Sequence, residues 1–262
     1  MERRLGAIAR HCCQRRPAAH DPCGAATPAA AAPGDDQAEE PFSAAINELT
    51  AQIEAADEPS FELHYARGKA YHRINRNEEA IADYEAALAL SPTHPDAASA
   101  HSDWGVAWRH HGDVARALEG YGRALEIQPD HSLALINRGQ LLEEAGRQSD
   151  ALADFRRVMA VQTAVLERQP DDGHALTMRG AAANQAGALE QAVADLSRAA
   201  ALVPEGAKEL GKVLRHRGET FYKLGRHDEA VADLERGLAL DPLNPIIQSL
   251  LAAARKAAGA ER

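Results

Sequence analysis

The chain has 262 residues, enough for one or two ordinary domains, and a formal net charge of −10. Apolar residues make up 45% of it, yet 57 of them are alanine and only 4% of all residues are aromatic. A core built largely from alanine favours closely packed helices, because alanine is a strong helix former and lets helix axes approach. The composition therefore argues against a β-sandwich or β-barrel, and the acidic balance argues against a general nucleic-acid binder. No apolar run is long enough for a membrane span.

The first 60 residues divide by charge. Residues 1–34 hold five Arg and two acids, whereas residues 35–60 hold eight acids and no Lys or Arg. Because 1–34 lack a hydrophobic face that could offset the entropy cost of ordering, we expect a disordered tail over 1–41. The Arg-rich, acid-poor character also fits a mitochondrial or other organellar presequence loosely, and both interpretations stay open.

Five segments downstream share one pattern. Each has a Gly preceded by Arg or Trp, a mostly large residue three positions later, then Ala, an aromatic residue or Leu, a mostly small residue, and a closing Pro. The copies are Gly68-Tyr71-Ala80-Tyr84-Ala87-Pro92, Gly105-Trp108-Ala117-Tyr121-Ala124-Pro129, Gly139-Leu142-Ala151-Phe155-Val158-Pro170, Gly180-Ala183-Ala192-Leu196-Ala199-Pro204 and Gly218-Phe221-Ala230-Leu234-Gly237-Pro242. Two apolar stripes at helical spacing flank one turn residue in every copy, namely Asn75, Gly112, Gly146, Gly187 or Gly225.

Each recurring position has a physical reason. A Gly inside a helix costs about 1 kcal/mol relative to Ala, so its recurrence indicates that a second helix packs too closely there for a side chain. The turn residue can adopt the left-handed conformation that ends a helix, and the Pro ends the second helix. The pattern predicts helix hairpins that bury their apolar faces only against their neighbours.

This pattern resembles the tetratricopeptide repeat (TPR), over about residues 61–244. The resemblance implies an all-α protein, a right-handed α-solenoid of helix-turn-helix repeats behind a disordered N-terminal tail. The expected units are an N-terminal half-repeat or capping helix at 42–60, five repeats at 61–97, 98–131, 132–172, 173–210 and 211–244, and a C-terminal capping helix at 245–262.

The spacing of the units is uneven. Successive recurring Gly residues are 37, 34, 41 and 38 apart, so three intervals exceed the 34-residue period by 3, 7 and 4. These excesses are close to one or two helical turns, which indicates longer helices rather than longer loops. In the third repeat the apolar stripe continues to Pro170, and we expect a second helix about 10 Å longer than its siblings that projects as an overhang.

No arrangement of residues matches a catalytic or cofactor signature. The chain has no phosphate-binding loop, no dinucleotide fingerprint and no His-Glu-x-x-His motif, so we expect neither an enzyme nor a bound cofactor. Cys12, Cys13 and Cys23 lack the paired spacing of a structural zinc site, and no metal is expected. Acylation or redox reactivity of Cys12 or Cys13 is the minor alternative.

Charged pairs three residues apart recur on the second helices. We interpret them as solvent-facing pairs worth a few tenths of a kcal/mol each. They are Asp154/Arg157, Asp195/Arg198 and Asp233/Arg236.

The resemblance implies where a partner binds. In the TPR family the first helices line a concave groove, in which partners, usually peptides, lie. The matching positions here are Tyr65, Lys69 and His72; Ser102, Val106 and Arg109; Ile136, Gln140 and Glu143; Thr177, Ala181 and Asn184; and Arg215, Glu219 and Tyr222. Aromatic residues and Arg are common interface anchors, although the same stripe could be a solvated inner wall.

One TPR subclass clamps the C-terminal carboxylate of a chaperone with Lys, Asn and Arg side chains from three repeats. One frame places Tyr65, Lys69, Asp103, Leu133 and Asn137 at those positions, and another places Ile136, Gln140, Met178, Lys212 and His216 there. Neither frame completes the clamp, so a co-chaperone of this type is disfavoured.

The leading hypothesis is a cytoplasmic, non-catalytic adaptor or scaffold, a monomer or weakly self-associating, that holds a peptide or protein segment in its groove. Lys69, Arg109 and Arg215 would pair with carboxylates of the partner. The alternative is an organelle-targeted assembly or accessory factor whose first 34 residues are removed. A scaffold for a fused enzyme is less favoured, because residues 1–60 are too short to form a catalytic domain.

Overall fold

The computed structural model describes residues 36–260, which form twelve α-helices and no strand. In chain order the helices are α1 (Asp36–Ala55), α2 (Phe61–Arg73), α3 (Asn77–Leu90), α4 (Ala97–His111), α5 (Val114–Ile127), α6 (Ser132–Glu144), α7 (Gln148–Arg168), α8 (Gly173–Gln185), α9 (Leu189–Leu202), α10 (Lys208–Lys223), α11 (His227–Leu240) and α12 (Pro245–Ala260). The predicted all-α solenoid is confirmed.

The expected disordered tail lies mainly outside the described residues. Its last part, 36–41, belongs to α1, which begins at Asp36 and not at residue 42 as predicted.

The helices form two layers. Each first helix packs on the second helix of its hairpin, as α2 does on α3 and α10 on α11. The substantial contacts between alternate helices join first helices to each other: α2 to α4, α4 to α6, and α8 to α10. Because the first helices approach one another more closely, they line the concave side, and α3, α5, α7, α9 and α11 lie on the convex side.

The residues that end the helices of each repeat lie where the sequence predicted them. The turn residues have a positive φ in all five hairpins, from 59° at Asn75 to 95° at Gly112. Each closing Pro stands two positions after the end of a second helix, as Pro92 does after Leu90. The hairpins are therefore delimited by residues that end helices.

The recurring Gly marks the point where the two helices of a hairpin touch. A Cβ atom added to Gly139 would lie 2.7 Å from Cε1 of Phe155, and one added to Gly180 would lie 2.7 Å from Cγ of Leu196. Both partner side chains are fully buried. The prediction that the second helix leaves no room for a side chain is confirmed.

The expectation of longer helices holds at two of three intervals. α7 has 21 residues where α5 and α9 have 14, and α10 has 16 where α6 and α8 have 13. After the first repeat, however, most of the excess enters the loop at 91–96. Pro92 and Pro95 stand in this loop, and proline does not continue a helix.

The additional turns of α7 do not form the overhang that was expected. Leu166 is buried with Ala175 and Leu176 of α8. Nε2 of Gln162 donates a hydrogen bond of 2.9 Å to Oγ of Ser132. The expectation is wrong because α8 covers the apolar stripe of the longer helix.

Four aspartates near the middle of second helices are buried, and three of them are those interpreted above as solvent-facing, so that interpretation is wrong. Each is 4–5% exposed and accepts two hydrogen bonds of 2.6–2.8 Å from an arginine 16 residues earlier, on the first helix of the same hairpin. The pairs are Arg67–Asp83, Arg138–Asp154, Arg179–Asp195 and Arg217–Asp233. The arginine of the Arg-Gly dipeptide is thus the true partner of each aspartate.

The arginines that we had paired with these aspartates instead bind the loop before their own first helix. Nε of Arg157 donates to Asp130 at 2.7 Å, and Nη2 of Arg198 donates to the carbonyl oxygen of Pro170 at 2.8 Å. Second helices are in this way tied to the preceding connection as well as to the first helix.

The two end helices extend the stack. Nη1 of Arg67 donates to the hydroxyl of Thr50 on α1 at 3.1 Å, as Nη1 of Arg179 does to Thr163 on α7 at 3.1 Å. α1 therefore takes the place of a second helix before the first repeat. α12 packs on α10 and α11, where the first helix of a further repeat would lie.

Candidate partner-binding groove

The C-terminal half of the concave side contains a cavity of about 340 Å³, which we call the C-terminal cavity. It lies between the first helices α6, α8 and α10. Six of the predicted groove residues line it: Ile136, Gln140, Thr177, Ala181, Arg215 and Glu219. Leu133, Met178, His216 and Ile246 also line it, although sequence reasoning did not include them in the groove.

The polar end of the C-terminal cavity centres on two neighbouring side chains of α10. Nη2 of Arg215 lies 2.7 Å from Nε2 of His216. Burial lowers the pKa of His216 to about 4, with a further contribution from the Arg215 charge. The imidazole is therefore neutral at pH 7 and accepts a hydrogen bond from the guanidinium.

Glu219, one helical turn beyond Arg215, is held by other groups. Its Oε1 accepts a hydrogen bond of 2.9 Å from Nδ2 of Asn184 and lies 3.1 Å from Nζ of Lys223. Burial lowers the pKa of Arg215, and the Glu219 charge opposes this shift. Asn184, predicted as a groove residue, is itself buried, and its hydrogen bond orients Glu219.

The N-terminal half of the concave side carries a different network. The hydroxyl of Tyr65 donates to Oδ2 of Asp103 at 2.9 Å, and Nζ of Lys69 lies 5.1 Å from the centre of the Tyr65 ring. Burial raises the pKa of Asp103, while the hydrogen bond from Tyr65 and the charges of Lys69 and His72 oppose the rise. Asp103 was not among the predicted groove residues.

Arg109 connects the two halves. Its Nη2 donates to Oε1 of Glu144 at 2.6 Å, and its Nη1 lies 3.4 Å from Oε1 of Gln140, both on α6. His72 and His110 lie close by at the ends of α2 and α4, with ring centres 5.1 Å apart. The Nη2 group of Arg109 is therefore already engaged by a carboxylate of α6.

The other predicted groove positions differ in how far their side chains are exposed on the concave side. Ser102 is 2% exposed and so is not part of the groove surface, because α4 has a first helix packed on each side. Val106 and Tyr222 pack partly against the core, and Thr177 donates its hydroxyl to the carbonyl oxygen of Gly173 at 2.7 Å. Glu143 is half-buried on α6.

Neither a metal centre nor a membrane span is found in the described part of the chain. Within residues 36–260, no group of three or more His, Cys, Asp or Glu side chains could hold a metal ion. No helix in that same range is long and apolar enough to cross a membrane.

Helix hairpins stacked into a solenoid, with a groove lined by the first helices, define a class of α-repeat proteins. The chain belongs to the tetratricopeptide repeat family. The family model described as "Tetratricopeptide repeat" matches residues 36–95, 65–131, 103–161 and 160–207, and the one described as "TPR repeat" matches 218–259. The resemblance stated from the sequence is thereby confirmed.

Curated relatives match part of the chain. The photosystem I assembly protein Ycf3 of Acaryochloris marina (strain MBIC 11017) is 27% identical over 124 residues, which are 47% of this chain and 74% of that protein. Ycf3 of Prochlorococcus marinus (strain MIT 9211) is 30% identical over 95 residues, 36% of this chain and 55% of that protein.

Solved structures share the fold. One chain of the crystal structure of the APC/C hetero-tetramer Cut9–Hcn1 superposes with a TM-score of 0.60 at 17% identity. The match covers 82% of this chain and 39% of that chain. TTC0263, a TPR protein of Thermus thermophilus, gives a TM-score of 0.56 at 20% identity, covering 74% of this chain and 98% of that one. At these identities the likeness concerns the fold alone.

Proposed function

We propose that this chain is a non-catalytic scaffold or adaptor that holds a peptide or protein segment on its concave side. The observation that carries the proposal is the C-terminal cavity. It joins three consecutive first helices and places apolar side chains such as Ile136 and Met178 beside polar groups such as Gln140 and Arg215. A concave site with apolar walls and a few convergent polar groups is the usual form of a binding site.

Rigidity of the repeats supports this function. The Gly contacts and the buried Arg–Asp pairs, such as Gly139 against Phe155 and Arg179 with Asp195, fix each first helix on its second helix. The groove side chains are therefore largely in place before a partner arrives, which reduces the entropy cost of binding.

The experiment compares partner recovery by wild type and a groove variant, Arg109→Glu with Arg215→Glu. The matched control reverses two exposed arginines of α7, Arg156→Glu with Arg168→Glu. We expect the groove variant to lose partners that wild type and control both retain. The milder pair Arg109→Gln with Arg215→Gln repeats the comparison if the buried glutamate at 215 prevents folding. Equal recovery by all variants would overturn the groove as the binding site.

A second candidate is an assembly factor, in which the bound segment belongs to a subunit of a larger complex. It is favoured by the likeness to two proteins named for photosystem I assembly. In this form the chain enters an organelle and loses residues 1–34, whereas the adaptor stays in the cytoplasm with the same groove. The mass of the mature N-terminus separates the two, since an intact Met1 or Glu2 contradicts a cleaved presequence.

A further inference from the structure

Arg215 differs from the other partly buried arginines of the first helices. Arg67, Arg138, Arg179 and Arg217 each pair with two oxygens of a buried aspartate. Arg215 forms no ion pair within the described part of the chain, and its hydrogen bond goes to the neutral ring of His216. A cation that has lost much of its water without gaining a carboxylate is costly, so an incoming anion at this place is favoured.

The carboxylate of Glu219 does not meet this need, because Asn184 and Lys223 already engage it. Its charge nevertheless lies close enough to affect Arg215. This nearby negative charge disfavours a doubly charged anion in the cavity. A single carboxylate fits better, since its two oxygens match the fork of the guanidinium.

Apolar side chains form much of the remaining wall of the C-terminal cavity. Leu133 and Ile246 are 55% and 54% exposed, and both line the cavity together with Ile136 and Met178. Covering such side chains removes apolar area from water and so favours binding. The cavity thus offers one cationic group beside an aliphatic surface.

Resting on the proposed function, we infer that the C-terminal cavity recognises a peptide segment with an Asp or Glu side chain next to a large aliphatic side chain. The carboxylate binds Arg215 and the aliphatic side chain packs among Leu133, Ile136 and Met178. Gln140 and Thr177 line the same cavity and offer polar groups to the peptide backbone. Neither terminus of the peptide is required, which separates this site from a clamp for a C-terminal carboxylate.

The test selects a phage-displayed library of random 12-residue peptides on the full chain. We expect enriched sequences to place Asp or Glu beside Leu, Ile, Val or Met. A synthetic enriched peptide, capped at both ends, should lose at least tenfold in affinity when its acid is replaced by the amide. The variant Arg215→Gln should bind the acidic peptide with a similarly reduced affinity and should bind the amide peptide as tightly as wild type does. The reason is that the change in the peptide and the change in the protein remove the same interaction.

The control variant Lys212→Gln removes an exposed cation from the same helix and should leave affinity unchanged. If Arg215→Gln fails to fold, Arg215→Lys keeps the charge but loses the fork geometry, and an intermediate loss is expected. Enriched peptides without an acid, or an amide peptide that binds as tightly, would overturn the inference while the proposed function stands. No enrichment at all, or peptides indifferent to every concave substitution, would count against both.

Discussion

Arg179 donates two hydrogen bonds of 2.7 Å to Asp195, which lies sixteen residues further along the chain. A third hydrogen bond from Arg179 reaches Thr163 on the preceding second helix, so one side chain connects α7, α8 and α9. The second repeat lacks this arrangement. Trp104 takes the place of the arginine there and donates to Glu85 of α3 at 3.1 Å. The buried Arg–Asp pair thus recurs as a contact between helices, which we call the Arg–Asp joint, and it is not a surface feature.

Removing one partner of this joint should be costly. We expect Asp195→Ala to lower the free energy of unfolding by about 3 kcal/mol, because it leaves the Arg179 charge partly buried without a partner. Urea denaturation followed by circular dichroism measures this. Asp171→Ala, which removes the partner of Arg198 in an exposed pair, should cost less than about 1 kcal/mol. Equal losses would show that the buried joint has no special role.

Replacing a recurring Gly even by alanine should lower the stability of the protein. Gly180→Ala is expected to lower stability by about 1–3 kcal/mol, because the added carbon would meet Leu196 at 2.7 Å. The matched control is Gly122→Ala on α5, where nothing lies within 4 Å, and it should raise stability by up to about 1 kcal/mol through helix propensity. Thermal denaturation of both variants checks the sign, and stabilisation by Gly180→Ala would contradict the packing described.

The two additional turns of α7 should contribute to stability. Leu166→Ala is expected to cost about 2–5 kcal/mol, because Leu166 is buried against α8. Leu243→Ala, at an exposed position between α11 and α12, should change the free energy of unfolding by less than about 0.5 kcal/mol. A small effect at Leu166 would favour the projecting overhang that the sequence had suggested.

Stability should fall on mild acidification, partly through His216. Its pKa is lowered to about 4 in the folded state, against 6.5 as the ordinary value, by burial and by the charge of Arg215. Between pH 6.5 and 4 the unfolded state therefore binds more protons at this position, and stability decreases as the pH falls through that range. Above pH 6.5 the group has no effect.

The variant His216→Gln keeps an oxygen that can accept from Arg215 and removes the titration. Its melting temperature should fall less steeply than that of wild type from pH 6.5 to 4. Burial also lowers the pKa of His101, His110 and His131, so a residual slope is expected in both proteins. Identical slopes would mean that His216 is protonated in the folded protein without cost.

The glycines and prolines that shape each hairpin could be predicted from the sequence, whereas the buried polar pairs inside the hairpin were missed. Gly139 opposite Phe155 could be inferred because the same spacing appears five times. The Arg–Asp joints were missed because each aspartate was paired with the arginine three residues later, such as Arg157 for Asp154, although Arg138 lies at the fixed offset of 16. That constant offset in four repeats is the signal that would have identified them.

The groove was harder to predict than the hairpins. Matched positions included Arg215 and Gln140, which do line the cavity, but also Ser102, which is buried. The difference arises from how tightly neighbouring first helices approach, and no single repeat encodes this. The unpaired state of Arg215 likewise depends on side chains from several helices at once.

Photo-crosslinking from defined positions tests most directly that the concave side holds the partner. A benzophenone side chain replaces Gln140 in the C-terminal cavity, Lys69 in the N-terminal half, or exposed Arg156 on the convex helix α7. We expect the same partner segment to be covalently captured from residues 140 and 69 and not from residue 156. Capture from residue 156 alone, or equally from all three, would contradict the concave site.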